Sequence, residues 1–269
     1  MRRVLLARFG EVHLKGNNRP YFLRALVDNV RKAVEDIGGH VWMAESRIYV
    51  ANATDMDECA ERVRKVFGIY SVSPAIEMEK DLDAICRQAA EMYMEENPGR
   101  KVCVLDSLSA GPELQLTVEL LRDAILAGEA FEEIEAKARM YMLKTHLLFS
   151  LQSLANLARN GRVSPAVAKI ASVLGICIVG KASDVGTLEP LHKCRGEKSA
   201  LRTLYKTMKE LGFAGGKVRI SHCLNEKGAQ MVVDMIREEF PAADVIVDCA
   251  KGLVCYYAEN GGMLIGFEG

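Results

Sequence analysis

The sequence predicts two regions of different fold class, an α+β region at the amino terminus followed by a mixed α/β region. Hydrophobic periodicity through about residue 78 follows the order β-α-β-β-α-β, which is the split βαβ, or ferredoxin-like, pattern. Beyond it, short apolar runs alternate with helical patterns, which favours a sheet packed against helices. A length of 269 residues suits two ordinary domains.

Turn and capping residues support the amino-terminal assignment. Pro20 suits the first turn of a helix, and Gly38-Gly39 ends that helix because glycine tolerates the left-handed conformation of a helix terminus. Thr54 is predicted to cap the second helix. The predicted elements are, in order, a strand at 3–8, a helix at 20–36, the strands VWMA and RIYVAN, a helix at about 55–66 and the strand IYSVSPAIEM.

The carboxy-terminal region is predicted to be a mixed α/β domain with its own core. Its first helix ends at Pro98-Gly99, and the next run, KVCVLDS, is apolar and then polar, as expected of a buried, parallel strand. Helices are predicted at 82–97, 112–126, 132–144, 197–211 and 226–239, and strands in HLLFSL, KIASVLGICIVG, TLEPLHKC, KVRISHC, ADVIVDC and MLIGFE. We place the domains at 1–83 and 87–269.

Composition excludes a strongly charged partner for the chain as a whole. There are 35 basic and 36 acidic residues, so no global field favours nucleic acid or an anionic membrane. The eight cysteines form no CxxC pair, which is typical of buried free thiols in a reducing compartment. No apolar run approaches the ~18 residues of a membrane span, and the start breaks off too soon for a signal peptide. We therefore expect a soluble, cytoplasmic protein.

Motifs for catalysis or metal binding are absent from the sequence. The five histidines show no HxxxH or HxH spacing, so a zinc site is not expected. There is no GxSxG elbow, no GxxxxGK[ST] loop and no carboxylate pair in a distinctive setting. The sequence consequently predicts no catalytic residue, no metal and no cofactor, and we do not expect an enzyme.

The amino-terminal region resembles a domain of a known RNA-modifying family. The run ARFGEVHLKGNNRPYF, then SRIYVAN and VFGIYSVSPA, is similar to the ferredoxin-like domain of tRNA 4-thiouridine sulfurtransferases over about residues 1–83. In that family the domain helps a THUMP domain to hold tRNA, and a separate adenylation domain, not visible here, performs the chemistry. The resemblance implies tRNA contacts, with phosphate-neutralising basic groups; a solvated basic face is the alternative. The candidates are Lys15, Asn18, Arg19 and Arg24.

From about Arg87 to Gly269 the chain resembles the DegV family of fatty-acid-binding proteins. Three blocks match in order, namely AAEMYMEENPGRKVCVLDSLSAGPELQL, a long segment from HLLFSL to HKCRG, and CYYAENGGMLIGFEG. Such proteins hold a long-chain fatty acid between two α/β lobes and, in bacteria, present it to a fatty acid kinase. The family's TSxPS-like and SSxLSGxY-like segments, whose hydroxyls hold the carboxylate, do not occur. The region therefore resembles a DegV domain lacking its amino-terminal part.

The DegV resemblance implies a set of candidate residues, each with a plain structural alternative. Apolar residues of the predicted strands are candidate walls of an acyl pocket, although a packed core has the same pattern. The NGRVSPA turn, the end of KVCVLDS and the Gly-Gly near the carboxy terminus are candidate ligand-side loops, although ordinary turns explain them too. The fatty-acid-binding candidates are Ser107, Phe149, Leu154, Gly161, Arg162, Ile178, Gly261 and Gly262, and the candidate for contact with a kinase is Arg195.

Lipid binding is the favoured hypothesis for function. The chain would bind a long-chain fatty acid, with its affinity lowered or abolished because the hydroxyl segments that hold the head group are missing. The alternative is a tRNA-contacting fragment of a sulfurtransferase without its catalytic domain. A third hypothesis is a fusion without specific activity, since a lobe deprived of its sheet neighbours exposes strand edges.

Overall fold

The amino-terminal unit has the predicted ferredoxin-like topology. The computed structural model describes residues 2–10, 16–164 and 175–269, and these divide into two compact units, 1–102 and 103–269. In the first unit the sheet has the order β2-β3-β1-β4, and every neighbouring pair is antiparallel. Its elements are β1 (Arg2–Phe9), α1 (Arg19–Val34), β2 (His40–Ala44), β3 (Arg47–Ala51), α2 (Met56–Arg64), β4 (Ile69–Glu77) and α3 (Leu82–Glu96).

One face of this sheet packs against α1 and α2. Alternate residues of a strand point to opposite faces, and the alternate positions Leu5 and Ala7 of β1 are buried. They belong to a core cluster that includes Val30 of α1 and Val63 of α2. The helical spacing of α1 therefore serves to bury one stripe against the sheet.

The predicted cap of α2 was wrong by one residue. Asp55 is the capping residue, because it has an extended backbone and its carboxylate accepts hydrogen bonds from the backbone N–H groups of Asp57 (2.9 Å) and Glu58 (3.0 Å). The Thr54 hydroxyl donates instead to the carbonyl oxygen of Ile37 at 3.2 Å. Asp and Thr both favour this position, so neighbouring candidates compete for it.

The second unit is a mixed sheet between helices, as predicted. Within the described residues the strand order is β7-β6-β5-β10-β8-β9, and β8–β9 is the one parallel pair. The elements are α4 (Pro112–Leu126), α5 (Phe131–Met142), β5 (Thr145–Leu151), α6 (Ala155–Arg159), β6 (Ile176–Ala182), β7 (Leu188–Arg195), α7 (Glu197–Glu210), β8 (Lys217–His222), α8 (Glu226–Glu239), β9 (Asp244–Cys249), α9 (Gly252–Ala258) and β10 (Met263–Glu268).

The two faces of this sheet have different coverings. One face packs against α7 and α8 in the larger core cluster, which contains Leu148, Leu204 and Ile220. The start of α4 lies over the other face. A Cβ added to Gly266 of β10 would lie 2.4 Å from the backbone nitrogen of Glu113, so helix and sheet backbones touch there.

Some sequence predictions for this unit were wrong. Residues 101–107 (KVCVLDS) form no regular secondary structure, because no described strand pairs with them, and Val104 is 44% exposed. The short helices α6 and α9 were not predicted. Of the predicted strand KIASVLGICIVG, residues 169–174 lie outside the described part of the chain, and β6 starts at Ile176.

None of the described helices is long and apolar enough to cross a membrane.

Candidate functional site

A second apolar cluster lies on the α4 side of the sheet, and we call it the Phe149 cluster. It brings together three sequence candidates, Phe149, Leu154 and Ile178, all of them almost fully buried. Residues from β5, β6, α6, α9 and the end of β8 contribute to it. Its buried members are Phe149, Leu151, Leu154, Leu157, Ile178, Cys223 and Ala258.

Strand register explains how these side chains meet. Leu151 of β5 pairs directly with Ile178 of β6, so both point to the same face. Phe149 pairs with Gly180, where a Cβ would lie 2.3 Å from Cζ of the phenylalanine ring. The missing side chain at position 180 therefore provides the space that the ring occupies.

A cavity of about 300 Å³ lies near the start of β5 and the end of β6, and none of its lining residues belongs to the Phe149 cluster. Ser107 and Leu147 both line it, so one sequence candidate faces the cavity. The hydroxyl of Ser107 donates a hydrogen bond to the carbonyl oxygen of Ser109 at 3.2 Å. The lining residues are Ser107, Leu108, Glu113, Met142, Leu143, Thr145, His146, Leu147, Lys181, Ala182, Ser183, Asp184 and Leu211.

The cavity has a polar wall that sequence analysis missed. The buried carboxylate of Glu113 accepts hydrogen bonds from the hydroxyls of Ser109 and Thr145, the latter at 3.0 Å. Burial lowers the pKa of His146, which favours its neutral form there. Lys181 supplies a positive charge at this wall and lies 3.6 Å from Glu189. No motif marks Glu113, which looks like an ordinary acidic residue in a first helical turn.

Gly261 and Gly262 form a tight turn before β10. Gly261 has φ +81°, and its N–H donates to the carbonyl oxygen of Cys223 at 2.9 Å. A Cβ at Gly262 would lie 2.1 Å from the carbonyl oxygen of Ala258, so the backbones touch. The turn requires glycine at position 261, and the close approach of α9 requires glycine at position 262. A role in ligand binding stays a prediction.

The NGRVSPA turn follows α6 and is described only as far as Ser164. Gly161 has φ +67°, and both Gly161 and the side chain of Arg162 are exposed. The next residue, Val163, is partly buried and packs against the Phe149 cluster. The structure thus places Arg162 at the surface near the cluster, and its part in lipid binding stays a prediction.

Arg195 is an exposed residue at the end of β7, directly before α7. Lys198, in the first turn of that helix, is also exposed. Together they form a small basic surface apart from the buried cluster. This position suits contact with an acidic partner.

The amino-terminal candidates are only partly described. Lys15 lies outside the described residues. Asn18 ends a short 3-10 turn (Gly16–Asn18), Arg19 is half-buried, and Arg24 is exposed on α1. Binding of tRNA by this set stays a prediction.

Cysteines at the edge of the Phe149 cluster were not singled out from the sequence. The thiol of Cys223 lies 3.7 Å from the carbonyl oxygen of Cys255, and burial raises the pKa of Cys223. It is therefore protonated at neutral pH and behaves as a small apolar side chain. No described group of three or more His, Cys, Asp or Glu side chains has the arrangement of a metal site.

A mixed sheet with helices on both faces places the second unit among α/β proteins. A family model described as an uncharacterised protein of the DegV family matches residues 84–268, and the chain belongs to that family. A second model, the ThiI ferredoxin-like domain, matches residues 4–73. Both resemblances seen in the sequence are thereby confirmed.

Relatives of known sequence and structure agree with this assignment. A DegV domain-containing protein of Streptococcus pneumoniae is 43% identical over 180 residues, covering 67% of this chain and 64% of its own length. A DegV family protein from Eubacterium eligens, loaded with heptadecanoic acid, is 36% identical with a TM-score of 0.65, covering 86% of this chain and 91% of its own.

A further solved structure is the Streptococcus pneumoniae Fatty Acid Kinase (Fak) B3 protein loaded with linoleic acid. It is 34% identical with a TM-score of 0.66, and the match covers 86% of this chain and 90% of that one. The chain spans 64% of the length of the Streptococcus pneumoniae sequence relative.

Proposed function

We propose that the DegV region of this chain binds a long-chain fatty acid. The acyl chain would contact the Phe149 cluster, and the carboxylate would face the cavity at Ser107. The observation that most supports this arrangement is that β5 carries a lining residue of the polar-walled cavity, Leu147, two positions before Phe149 of the apolar cluster. Relatives that are 36% and 34% identical, loaded with heptadecanoic and linoleic acid, support the class of ligand.

Strand geometry supports the connection that we propose between the cavity and the Phe149 cluster. Leu147 lines the cavity, and Phe149 lies two residues further along the same face of β5. Two residues of a strand span about 7 Å. An acyl chain bound in the cavity would reach Phe149 only by displacing side chains of the cluster, since Phe149 is 2% exposed.

The charges in the cavity orient the ligand. A fatty acid carboxylate is repelled by the carboxylates of Glu113 and Asp184, which both line the cavity, and attracted by the ammonium group of Lys181, which also lies 3.6 Å from Glu189. Ser107 adds a hydroxyl at the same cavity. We therefore place the head group toward Ser107 and Lys181, where it also stays close to water.

Affinity should come mainly from the acyl chain. Burying one CH₂ group contributes about 0.8 kcal/mol, and the hydroxyl segments that hold the carboxylate in the DegV family do not occur in this sequence. Shortening the ligand by four CH₂ groups should thus weaken binding by about 3 kcal/mol, or roughly 200-fold. Replacing the carboxylate by its methyl ester should change affinity much less.

The test begins with native mass spectrometry of freshly purified protein and continues with binding of labelled fatty acids. Ile178→Ala and Ile220→Ala form a matched pair, since both isoleucines are 1% exposed but belong to opposite faces of the sheet. Each change should cost about 2 to 5 kcal/mol of stability. Only Ile178→Ala should weaken lipid binding at temperatures where both variants remain folded.

Two results would contradict the proposal. One is lipid-free protein that takes up no C16 or C18 fatty acid in titration. The other is equal loss of binding in the two isoleucine variants, since the effect would then follow stability and not the position of the side chain.

We further propose that Arg195 contacts a fatty acid kinase, so that the protein is a carrier without a catalytic step of its own. The exposed side chain lies outside the buried cluster, where a partner can reach it without disturbing the bound lipid. The similarity to a Fak B3 protein supports this type of partner.

A further inference from the structure

A pair of cysteines lies where α9 packs against the end of β8. Cys223 directly follows β8 and is an almost fully buried member of the Phe149 cluster, whereas Cys255 lies in α9, is only partly buried and packs against that cluster. The thiol of Cys223 is 3.7 Å from the carbonyl oxygen of Cys255, although the two residues are 32 positions apart in the chain. Tertiary packing therefore brings the two cysteines together.

Backbone hydrogen bonds hold both cysteines on one turn. The N–H of Glu259 donates to the carbonyl oxygen of Cys255 at 3.0 Å, and the N–H of Gly262 donates to that of Glu259 at 3.2 Å. The N–H of Cys223 in turn donates to the carbonyl oxygen of Gly262 at 2.9 Å. Burial, followed by hydrogen bonding with the side chain of Cys255, raises the pKa of Cys223 to about 12. The two thiols are therefore neighbours in the folded protein.

The helix α9 depends on such contacts for its position. It has seven residues, and a helix of this length is not stable by itself, because the first turn costs more entropy than its few hydrogen bonds return. Leu253 and Tyr256 are exposed, and Ala258 is buried. The side-chain amide of Asn156 donates to the carbonyl oxygen of Tyr256 at 2.8 Å and so links α9 to α6. A covalent bond from α9 to β8 would consequently change the stability of this helix strongly.

We propose that Cys223 and Cys255 are a modification site, at which a peroxide converts the two thiols into a reversible disulfide that locks α9 onto the end of β8. Both cysteines are free thiols in the structure. In a reducing compartment, disulfides of this kind form transiently and act as redox sensors.

The reaction with hydrogen peroxide proceeds in two steps. Cys255 reacts first because it is the more exposed of the two: its sulfur attacks one peroxide oxygen, the O–O bond breaks, and a sulfenic acid and one water molecule are formed. The sulfur of Cys223 then attacks the sulfenic sulfur, the S–O bond breaks, and the disulfide and a second water molecule are formed. The two thiols lose two electrons, the peroxide gains them, and both thiol protons end in water. A dithiol reductant reverses the bond by thiol–disulfide exchange.

Other cysteines of the chain provide internal comparisons. Cys177 of β6 and Cys194 of β7 are paired across the two strands, but both are almost fully buried in the cluster under α7 and α8. They should stay reduced because the oxidant does not reach them. Cys249 is exposed at the end of β9, so it tests whether exposure alone decides which thiols are linked.

The full chain is treated with hydrogen peroxide, unfolded and alkylated, and the labels are counted by mass spectrometry. Before oxidation all eight cysteines should be labelled, and after oxidation two fewer. Peptide mapping should find Cys223 linked to Cys255, and dithiothreitol should restore all the labels. The Cys249→Ala variant should form the same link, whereas Cys255→Ser should form none.

Hydrogen exchange of the backbone amides measures the lock itself. Exchange in α9 should be at least about tenfold slower in the oxidised than in the reduced protein, because local opening then requires β8 to move as well. In Cys255→Ser the exchange in α9 should not respond to peroxide. Thermal unfolding confirms that both variants are folded.

Oxidation should also slow the entry of a lipid, and this effect alone rests on the proposed function. A fatty acid reaches Phe149 by displacing side chains of the cluster, to which Cys223 belongs. Uptake of a labelled fatty acid should therefore be slower after oxidation of the unmodified chain but not of Cys255→Ser. A protein that forms the disulfide and binds no fatty acid in either state would contradict the lipid function and support the redox lock.

Three results would overturn the proposal. One is a folded chain that keeps all its labels under peroxide concentrations that oxidise a small dithiol in the same solution. Another is a link that maps to Cys177 and Cys194, or that disappears in Cys249→Ala. The third is equal amide exchange of α9 in the reduced and oxidised forms, since the disulfide would then form without locking the helix.

Discussion

Replacing Gly180 by alanine should displace the ring at the centre of the proposed lipid site. The added Cβ would lie 2.3 Å from Cζ of Phe149 and 2.4 Å from the carbonyl oxygen of Glu189. Carbon atoms in contact prefer about 3.5 to 4.0 Å, so the ring must move by more than about 1 Å. It has little room, because Phe149 is almost fully buried.

The size of the effect follows from these two collisions. Overpacking of a core costs typically 1 to 3 kcal/mol, and the additional contact with backbone places Gly180→Ala at about 3 kcal/mol. Phe149→Leu shortens the colliding side chain and should cost about 2 kcal/mol alone, less than the 3 to 5 kcal/mol of truncation to alanine. Combined, the two changes relieve the collision with the ring but not the collision with Glu189. The double variant should therefore be about 1 to 2 kcal/mol more stable than additivity predicts.

Urea unfolding of the unmodified protein, the two single variants and the double variant measures this coupling. Leu148→Ala is the matched control partner, since Leu148 precedes Phe149 but points into the cluster on the opposite face. Gly180→Ala and Leu148→Ala should be additive within about 0.5 kcal/mol. If the effects of Gly180→Ala and Phe149→Leu were also additive, the contact between the ring and position 180 would be refuted.

Other predictions concern the ion pair of Glu119 with Arg219, the cap of α2 and the proposed kinase partner. Glu119→Gln should destabilise by about 2 kcal/mol at neutral pH. Arg219 lowers the pKa of Glu119, so this stabilisation is complete above the ordinary glutamate pKa of about 4.3 and is lost as the pH falls through the lowered pKa of the folded protein. Denaturant titrations at neutral and at acid pH should therefore show a smaller difference between the two proteins in acid. Asp55→Ala should lower the stability of the first unit by about 1 kcal/mol, because it removes the cap of α2. Thermal unfolding should show a smaller effect for Thr54→Ala. Arg195→Glu should weaken binding to a fatty acid kinase in biolayer interferometry while leaving the lipid content unchanged.

Helices with strong hydrophobic periodicity could be predicted from the sequence with nearly correct bounds. The helix α1 has apolar residues at helical spacing and Pro20 in its first turn, and α8 was predicted with its observed bounds, 226–239. Local signals of this kind suffice because they act within one or two turns of chain. The sheet order of the first unit followed from the sequence of elements alone.

The error at residues 101–107 has a different origin. An apolar run such as KVCVLDS has the composition of a buried strand, but a strand exists only where another strand offers hydrogen-bonding partners. Pairing is a property of the whole sheet and not of the segment. Ser107 lines the cavity although the strand before it does not form, and its contact with a lipid head group stays a prediction.

Ile178 and Val179 show most clearly how far the site could be predicted from the sequence. Both are apolar, buried and adjacent in β6, yet Ile178 belongs to the Phe149 cluster and Val179 to the cluster under α7 and α8. Alternation along a strand predicts that they face opposite sides, but not which side adjoins a cavity. That depends on where α4 begins and on the absence of a side chain at Gly180, whose partner Phe149 is fixed by register. A wall of a lipid site and a wall of a core use the same residues, and only the space left beside them distinguishes the two.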